Sequence, residues 1–161
     1  KSWGITGIRV SPDMGFEPHA YPTGQVTGLY ARHHGNELLK INVENIPVYE
    51  QPYRMSGIAP VDTVAYLDIL GTKNDKKVFI HIINRHFNQD SHVTIDLTGF
   101  AEIGKNGVQH LFTGNIKNVP CADSSEEVAC FDEKDITVKR NNATVLVPAR
   151  TVSILEFTVN E

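Results

Sequence analysis

Apolar and polar residues alternate with a period of two through most of the chain, and this pattern predicts β-strands. Val93, Ile95 and Leu97 alternate with polar neighbours, and the same alternation runs over residues 39–43. Successive side chains of a strand point to opposite faces, so the pattern is typical of strands that bury one face. Further strands are predicted at residues 8–10, 61–69, 78–83, 108–112, 136–138, 144–147 and 152–159.

The spacing of these strands indicates an all-β fold. They follow one another at roughly 10–15 residues with turn-forming residues between them, which favours an antiparallel sandwich or barrel. Residues 71–76 are predicted to join two strands as a hairpin. We expect roughly eight or more strands in two packed antiparallel sheets. The side chains expected in the core are Ile41, Val43, Val93, Ile95, Leu97, Val152 and Ile154.

One segment departs from this alternation and predicts a short helix near the N-terminus. Within residues 23–35, four residues recur at the spacing of one helical face, namely Val26, Leu29, Tyr30 and His33. Thr23 is suited to cap the start of the helix and Gly35 its end. Residues 1–22 are assigned to an irregular N-terminal segment and residues 23–161 to a β-sandwich domain.

The composition is that of one folded domain without strong charge. The 161 residues are 40% hydrophobic and 21% charged, which suffices for one core. A net charge of −4 argues against electrostatic binding to nucleic acid or to an anionic membrane. No apolar run reaches the roughly 20 residues of a membrane-spanning helix. Because the chain starts at Lys1 without a signal peptide, we expect a piece of a longer protein.

No familiar catalytic or metal-binding motif is present in the sequence. The patterns G-x-S-x-G, H-E-x-x-H and C-x-x-C are all absent. His81 and His86 have opposite parity on one predicted strand, so their side chains would point to opposite faces and share no ion. We therefore assign no catalytic residue, no metal and no cofactor, and we interpret the seven histidines as structural. Four carboxylates on the polar parity are interpreted as solvated: Glu44, Asp62, Asp68 and Asp96.

The two cysteines leave two alternatives open. They are too few for a disulfide scaffold or for a four-cysteine zinc site. Cys121 and Cys130 lie nine positions apart in a polar segment, where a disulfide would close a loop. Two free thiols fit the sequence equally well, because the redox compartment decides between the two states.

The order of several segments resembles a known family of glycosidases. A helical stretch is followed by NELLK, PVY, PVDTVA, VFIHIINRH, TIDLTGF and VPARTVSILEF, at residues 36–40, 47–49, 60–65, 78–86, 94–100 and 147–157. This series resembles the C-terminal region of the α-L-arabinofuranosidases of glycoside hydrolase family 51. The resemblance extends over residues 21–158, with the asparagine and arginine after an apolar strand and the closing strand as its most specific parts.

The resemblance implies a division of labour within a larger enzyme. A catalytic (β/α)8 barrel would carry two catalytic glutamates, and an antiparallel jelly-roll-like β-sandwich would follow it. The chain would be that sandwich, without a catalytic residue and inactive by itself, with residues 1–22 at the junction. The residues expected to dock on the barrel are Tyr21, Val26, Leu29 and Tyr30.

The resemblance also implies the reaction of the parent protein. It would be a retaining enzyme that releases terminal arabinofuranosyl residues from arabinan or arabinoxylan, and it could form a homo-oligomer. A free-standing carbohydrate-binding module is the main alternative, and a ligand-free structural sandwich is a further one. A binding module would present aromatic rings on one face, drawn from Trp3, Tyr49, Tyr53 and Phe87.

Overall fold

Twelve strands and one helix make up the part of the chain that the computed structural model describes, residues 8–9, 19–20, 22–51, 57, 59–114 and 129–160. The strands are β1 (Ile8–Arg9), β2 (His19–Ala20), β3 (Glu37–Leu38), β4 (Val48–Gln51), β5 (Val61–Ala65), β6 (Leu67–Lys73), β7 (Lys77–Asn84), β8 (Ser91–Asp96), β9 (Ile103–Gly114), β10 (Ala129–Thr137), β11 (Asn142–Val147) and β12 (Thr151–Val159). Helix α1 covers Pro22–Arg32. Within these residues, no helix has the length and apolar character needed to cross a bilayer.

A six-stranded antiparallel sheet in the order β10-β9-β12-β7-β6-β3 is the centre of the fold. Its inner face packs against the antiparallel pair β8–β11, and the shared core contains Val78, Ile82, Leu155 and Phe157. Two further antiparallel pairs, β4–β5 and β1–β2, complete the described strands. The predicted all-β sandwich is confirmed.

The single helix lies on the outer face of the six-stranded sheet. Leu29 projects from it into a second apolar cluster with Phe79, Phe112 and Ile154, and only 3% of Leu29 is exposed. The central strands β7 and β12 are therefore buried on both faces, which explains their nearly continuous apolar sequences. The helix begins at Pro22, whose fixed φ and missing N–H suit the first helical position.

Most predicted strands are confirmed, but two expectations about the sequence between the helix and β7 are wrong. Residues 39–43 form no strand, because backbone pairing with β6 ends with the hydrogen bond from the Leu39 N–H to the carbonyl of Gly71. The predicted strand over residues 61–69 is interrupted at Tyr66, and its halves join two different sheets. The hairpin before β7 is confirmed with a tighter turn, in which Asn74 Oδ1 accepts hydrogen bonds from the backbone of Lys76 and Lys77.

The expected core is confirmed in part. Ile95, Leu97 and Ile154 are buried, whereas Ile41, Val93 and Val152 are partly buried. Val43 was expected inside and is 41% exposed. The reason is that the irregular segment over residues 39–46 packs only some of its apolar side chains on the sheet, among them Leu39 and Ile46.

Candidate functional site

Several polar side chains lie close together at the C-terminal end of helix α1, on the outer face of the six-stranded sheet against which Leu29 packs. We call this group the histidine cluster, and it consists of His33, His81, His110 and Glu156. His33 follows the last helical residue directly, and its backbone N–H still donates to the carbonyl of Leu29 at 3.1 Å. The other three members project from β7, β9 and β12, so the cluster ties the helix to three neighbouring strands.

Glu156 is the anionic member of the histidine cluster. Its Oε1 accepts a hydrogen bond from Lys77 Nζ, and its Oε2 lies 3.1 Å from His33 Nδ1. Burial alone would raise the pKa of the Glu156 carboxyl, but the hydrogen bonds from Lys77 and His33 outweigh it and hold the pKa below its usual value. Glu156 is therefore a carboxylate at neutral pH, and its two oxygens serve different partners.

His110 contributes a nitrogen that makes no hydrogen bond within the described residues. Its Nδ1 lies 3.0 Å from Oε1 of Glu133, which fixes the orientation of the ring. Its Nε2 is buried, faces Glu156 Oε2 at 3.5 Å and has no hydrogen-bond partner. The ring of His33 lies against that of His110 with 3.8 Å between centroids. A buried polar atom without a partner costs free energy and calls for an explanation.

His81 is the most buried of the histidines whose side chains the structure describes, at 2% exposure. Its ring stacks on Tyr30 with centroids 4.8 Å apart, and its Nε2 lies 3.3 Å from the hydroxyl of Thr72. Burial, together with the charges of His34 and His33, lowers the pKa of His81 to about 4. Burial and the charge of Asp68 raise the pKa of the Tyr30 hydroxyl. Both groups are neutral at pH 7.

The neutral state of His81 predicts a loss of stability in acid. The pKa falls from an ordinary 6.5 to about 4 on folding, so the unfolded chain binds the proton more tightly between these values. The free energy of unfolding should therefore be highest above pH 6.5 and fall by up to about 3 kcal/mol as the pH drops to 4. Urea unfolding across this range should show a smaller loss for His81→Gln. The same change at the exposed His92 is the control, and an equal loss in both variants would contradict the assignment.

A second candidate site is an open cavity between the irregular residues 39–47 and strand β8. It measures about 1210 Å³, and Tyr66 and His86 form part of its wall. The ring of Tyr66 lies between Tyr49, at 4.6 Å, and His86, at 4.3 Å. The ring planes are tilted by 39° and 34°, respectively, which is typical of packing between aromatic residues.

The residues expected to dock on the barrel or to bind sugar differ in burial, and some lie outside the described residues. Val26 and Tyr30 are partly buried on the sheet, and Leu29 is buried there, while Tyr21 lies outside the described residues. Phe87 is 61% exposed and lies under the guanidinium of Arg150. Trp3, Tyr53 and Cys121 also lie outside the described residues, as does the side chain of Cys130. The carboxylates interpreted as solvated are exposed: Glu44, Asp62, Asp68 and Asp96.

Sequence reasoning missed His110 and Glu156 as members of a site. Glu156 interrupts the apolar run of β12 on the same parity as Ile154, and a carboxylate there signals a buried partner. His110 stands on the same parity as Phe112 in β9. Their approach to His33 depends on strand order, since β9 and β12 are neighbours in the sheet although more than 35 residues separate them in the chain.

Comparison with known proteins identifies relatives by fold. No protein-family profile and no curated protein matches the sequence. An α-L-arabinofuranosidase from Thermotoga maritima in complex with arabinose superposes on 95% of the chain with a TM-score of 0.76 at 20% identity. A structure described as an arabinofuranosidase superposes on 94% of the chain with a TM-score of 0.74 at 21% identity. A family 51 α-L-arabinofuranosidase from Thermotoga petrophila superposes on 93% of the chain with a TM-score of 0.73 at 21% identity.

The chain spans only about a third of the length of these enzymes, 31% in each case. At this identity the likeness establishes a shared fold. The described chain thus has the architecture of one part of a family 51 α-L-arabinofuranosidase. The all-β sandwich implied by the order of sequence segments is confirmed, and its jelly-roll topology stays a prediction.

Proposed function

We propose that the chain is the non-catalytic C-terminal β-sandwich of a retaining α-L-arabinofuranosidase. The parent enzyme would release terminal arabinofuranosyl residues from arabinan or arabinoxylan. The observation that carries the proposal is the match of nearly the whole chain to about a third of three arabinofuranosidases. The order of sequence segments supports the same family independently of the coordinates.

The outer face of the six-stranded sheet supports docking on a second domain. Leu38 pairs with Thr72 and Leu70 with His81, so both leucines share the face on which α1 lies. They are 73% and 44% exposed, respectively. Leu38 lies opposite Thr72, two residues from Leu70 on the neighbouring strand, and adjoining exposed apolar residues mark a surface that packs against a neighbour. We propose that this face, with residues 1–22 at the junction, rests on the barrel.

Within the proposal, the sandwich supplies no catalytic group. Retaining glycosidases need two carboxyl groups about 5–5.5 Å apart. The histidine cluster offers Glu156, but its carboxylate is engaged by Lys77 and His33 beneath the helix. Glu44, Asp62, Asp68 and Asp96 are exposed to solvent and form no such pair with Glu156. Catalysis would therefore reside in two glutamates of the barrel.

The proposal predicts that the chain alone is inactive toward an aryl α-L-arabinofuranoside. The rate should equal that of buffer, whereas a protein that carries the barrel as well should exceed it by about a million-fold or more. Sequencing the gene upstream of Lys1 should reveal a (β/α)8 pattern with two strand-end glutamates. NMR of the longer protein should show retention of the anomeric configuration. Hydrolysis by the chain alone would contradict the division of labour.

A binding assay separates this function from a carbohydrate-binding module. In affinity electrophoresis, arabinan and arabinoxylan in the gel should leave the mobility of the chain unchanged. Tyr49→Ala and Phe87→Ala are the matched variants, because these rings are the described aromatic candidates for sugar stacking. Retardation of the unchanged chain that either variant abolishes would support the binding module and contradict the proposal.

A further inference from the structure

We propose that His33, His110 and Glu156 form a zinc site that fastens helix α1 to the sheet. A nitrogen of each histidine and a carboxylate oxygen of Glu156 lie within 4.8 Å of one another. Two imidazoles and one carboxylate are a known Zn²⁺ ligand set, in which water takes the fourth position of the ion. The three ligands come from separate parts of the chain, so the ion would join α1, β9 and β12.

Two of the three distances within the group are close to those between the ligand atoms of a tetrahedral ion, and all three are at most 4.8 Å. Bonds of about 2.0–2.1 Å place the ligand atoms of zinc about 3.3–3.4 Å from one another. Glu156 Oε2 lies 3.1 Å from His33 Nδ1 and 3.5 Å from His110 Nε2. The same carboxylate oxygen thus faces both histidines, while Lys77 engages the other oxygen and holds the carboxylate in place.

The protonation pattern of His110 supports metal binding independently of these distances. Its side chain is 9% exposed, and Nδ1 is 3.0 Å from Glu133 Oε1. A hydrogen on Nδ1 that is donated to the carboxylate leaves a lone pair on Nε2, and that atom is buried without a hydrogen-bond partner among the described residues. A carboxylate behind a histidine is the arrangement that orients metal-binding imidazoles and makes them more basic. Zinc on Nε2 would satisfy the unpaired atom.

The test is titration of the purified, chelator-treated chain with Zn²⁺ alone, followed by calorimetry and by thermal unfolding. We expect one saturable site and a higher melting temperature with zinc, because an ion that binds only the folded chain stabilises it. His33→Gln and His110→Gln should each weaken binding at least about tenfold. His34→Gln is the matched control, since His34 is exposed next to the cluster and its Nδ1 contacts the carbonyl of Tyr30.

Three further measurements keep the test decisive. Glu133→Gln should weaken zinc binding about 10–100-fold without unfolding the chain, because its side chain is 71% exposed. Co²⁺ should give the intense visible absorption of a four-coordinate ion, and His110→Gln should remove it. Serine in place of Cys121 and Cys130 should leave the affinity unchanged. The proposal is overturned by absence of a saturable site, by wild-type affinity in His110→Gln or Glu133→Gln, or by loss of binding in the serine variant.

Discussion

Leu29→Asp is expected to lower the free energy of unfolding of the chain by about 3–5 kcal/mol or more. Truncation of a buried leucine alone costs about 2–5 kcal/mol, and a carboxylate at that position would also be buried without a partner. Leu29 is 3% exposed and contacts Phe79, Phe112 and Ile154, so the change strikes the packing of the helix on the sheet.

Urea unfolding of Leu29→Asp and of Thr27→Asp is the measurement. Thr27 is exposed on the same helix, and its change should cost under about 1 kcal/mol. Hydrogen exchange in Leu29→Asp should rise first in α1. Equal stability of the two variants would mean that α1 does not depend on the sheet for its stability. Such a result would favour a helix that packs mainly on another domain, which is the docking role that the family resemblance implies for Leu29.

Phe157→Ala is expected to cost about 3–5 kcal/mol, the usual range for a fully buried phenylalanine. Phe157 is 0% exposed in the main core, and its strand β12 pairs with β7 on one side and β9 on the other. A cavity at this point weakens the contact between the central strands and the β8–β11 layer, because Phe157 belongs to the cluster that joins them.

Phe131→Ala is the matched control for the core variant. Phe131 lies on the edge strand β10, is 48% exposed and contacts Phe112 with ring centroids 5.0 Å apart. Its loss should cost about 1 kcal/mol, since about half of its surface stays in water in the folded state. Chemical denaturation measures both changes. A smaller loss for Phe157→Ala than for Phe131→Ala would contradict the assignment of the core to the inner face of the six-stranded sheet.

The proposed zinc site and Leu29 lie on the outer face of the six-stranded sheet, whereas Phe157 lies on its inner face. His33 and Leu29 belong to the same helical segment, so zinc binding and helix packing should be coupled. Zinc should therefore raise the stability of the unchanged chain more than that of Leu29→Asp, in which α1 is already detached. Phe157 lies on the opposite face of the sheet, and its variant should keep the zinc affinity wherever it remains folded.

The pattern of apolar and polar residues in the sequence determined helix α1 and the strands that bury one face. The alternation around Ile95 and the run over β12 each predicted a strand that the structure contains, because side-chain parity is a local property. The spacing of Val26, Leu29 and Tyr30 likewise predicted the helix and its apolar face. Local parity could not reveal that residues 39–43 lack a pairing partner, since pairing depends on distant backbone.

Tertiary structure alone decided the histidine cluster. Sequence parity excluded a shared site for His81 and His86 because both were considered on one strand. The cluster instead joins His33, His81, His110 and Glu156, which come from a helix end and from three strands that are neighbours only in the folded sheet. Strand order arises from long-range hydrogen bonding and from burial of apolar faces. For that reason local spacing, which predicted each element, carried no signal for the groups that these elements bring together.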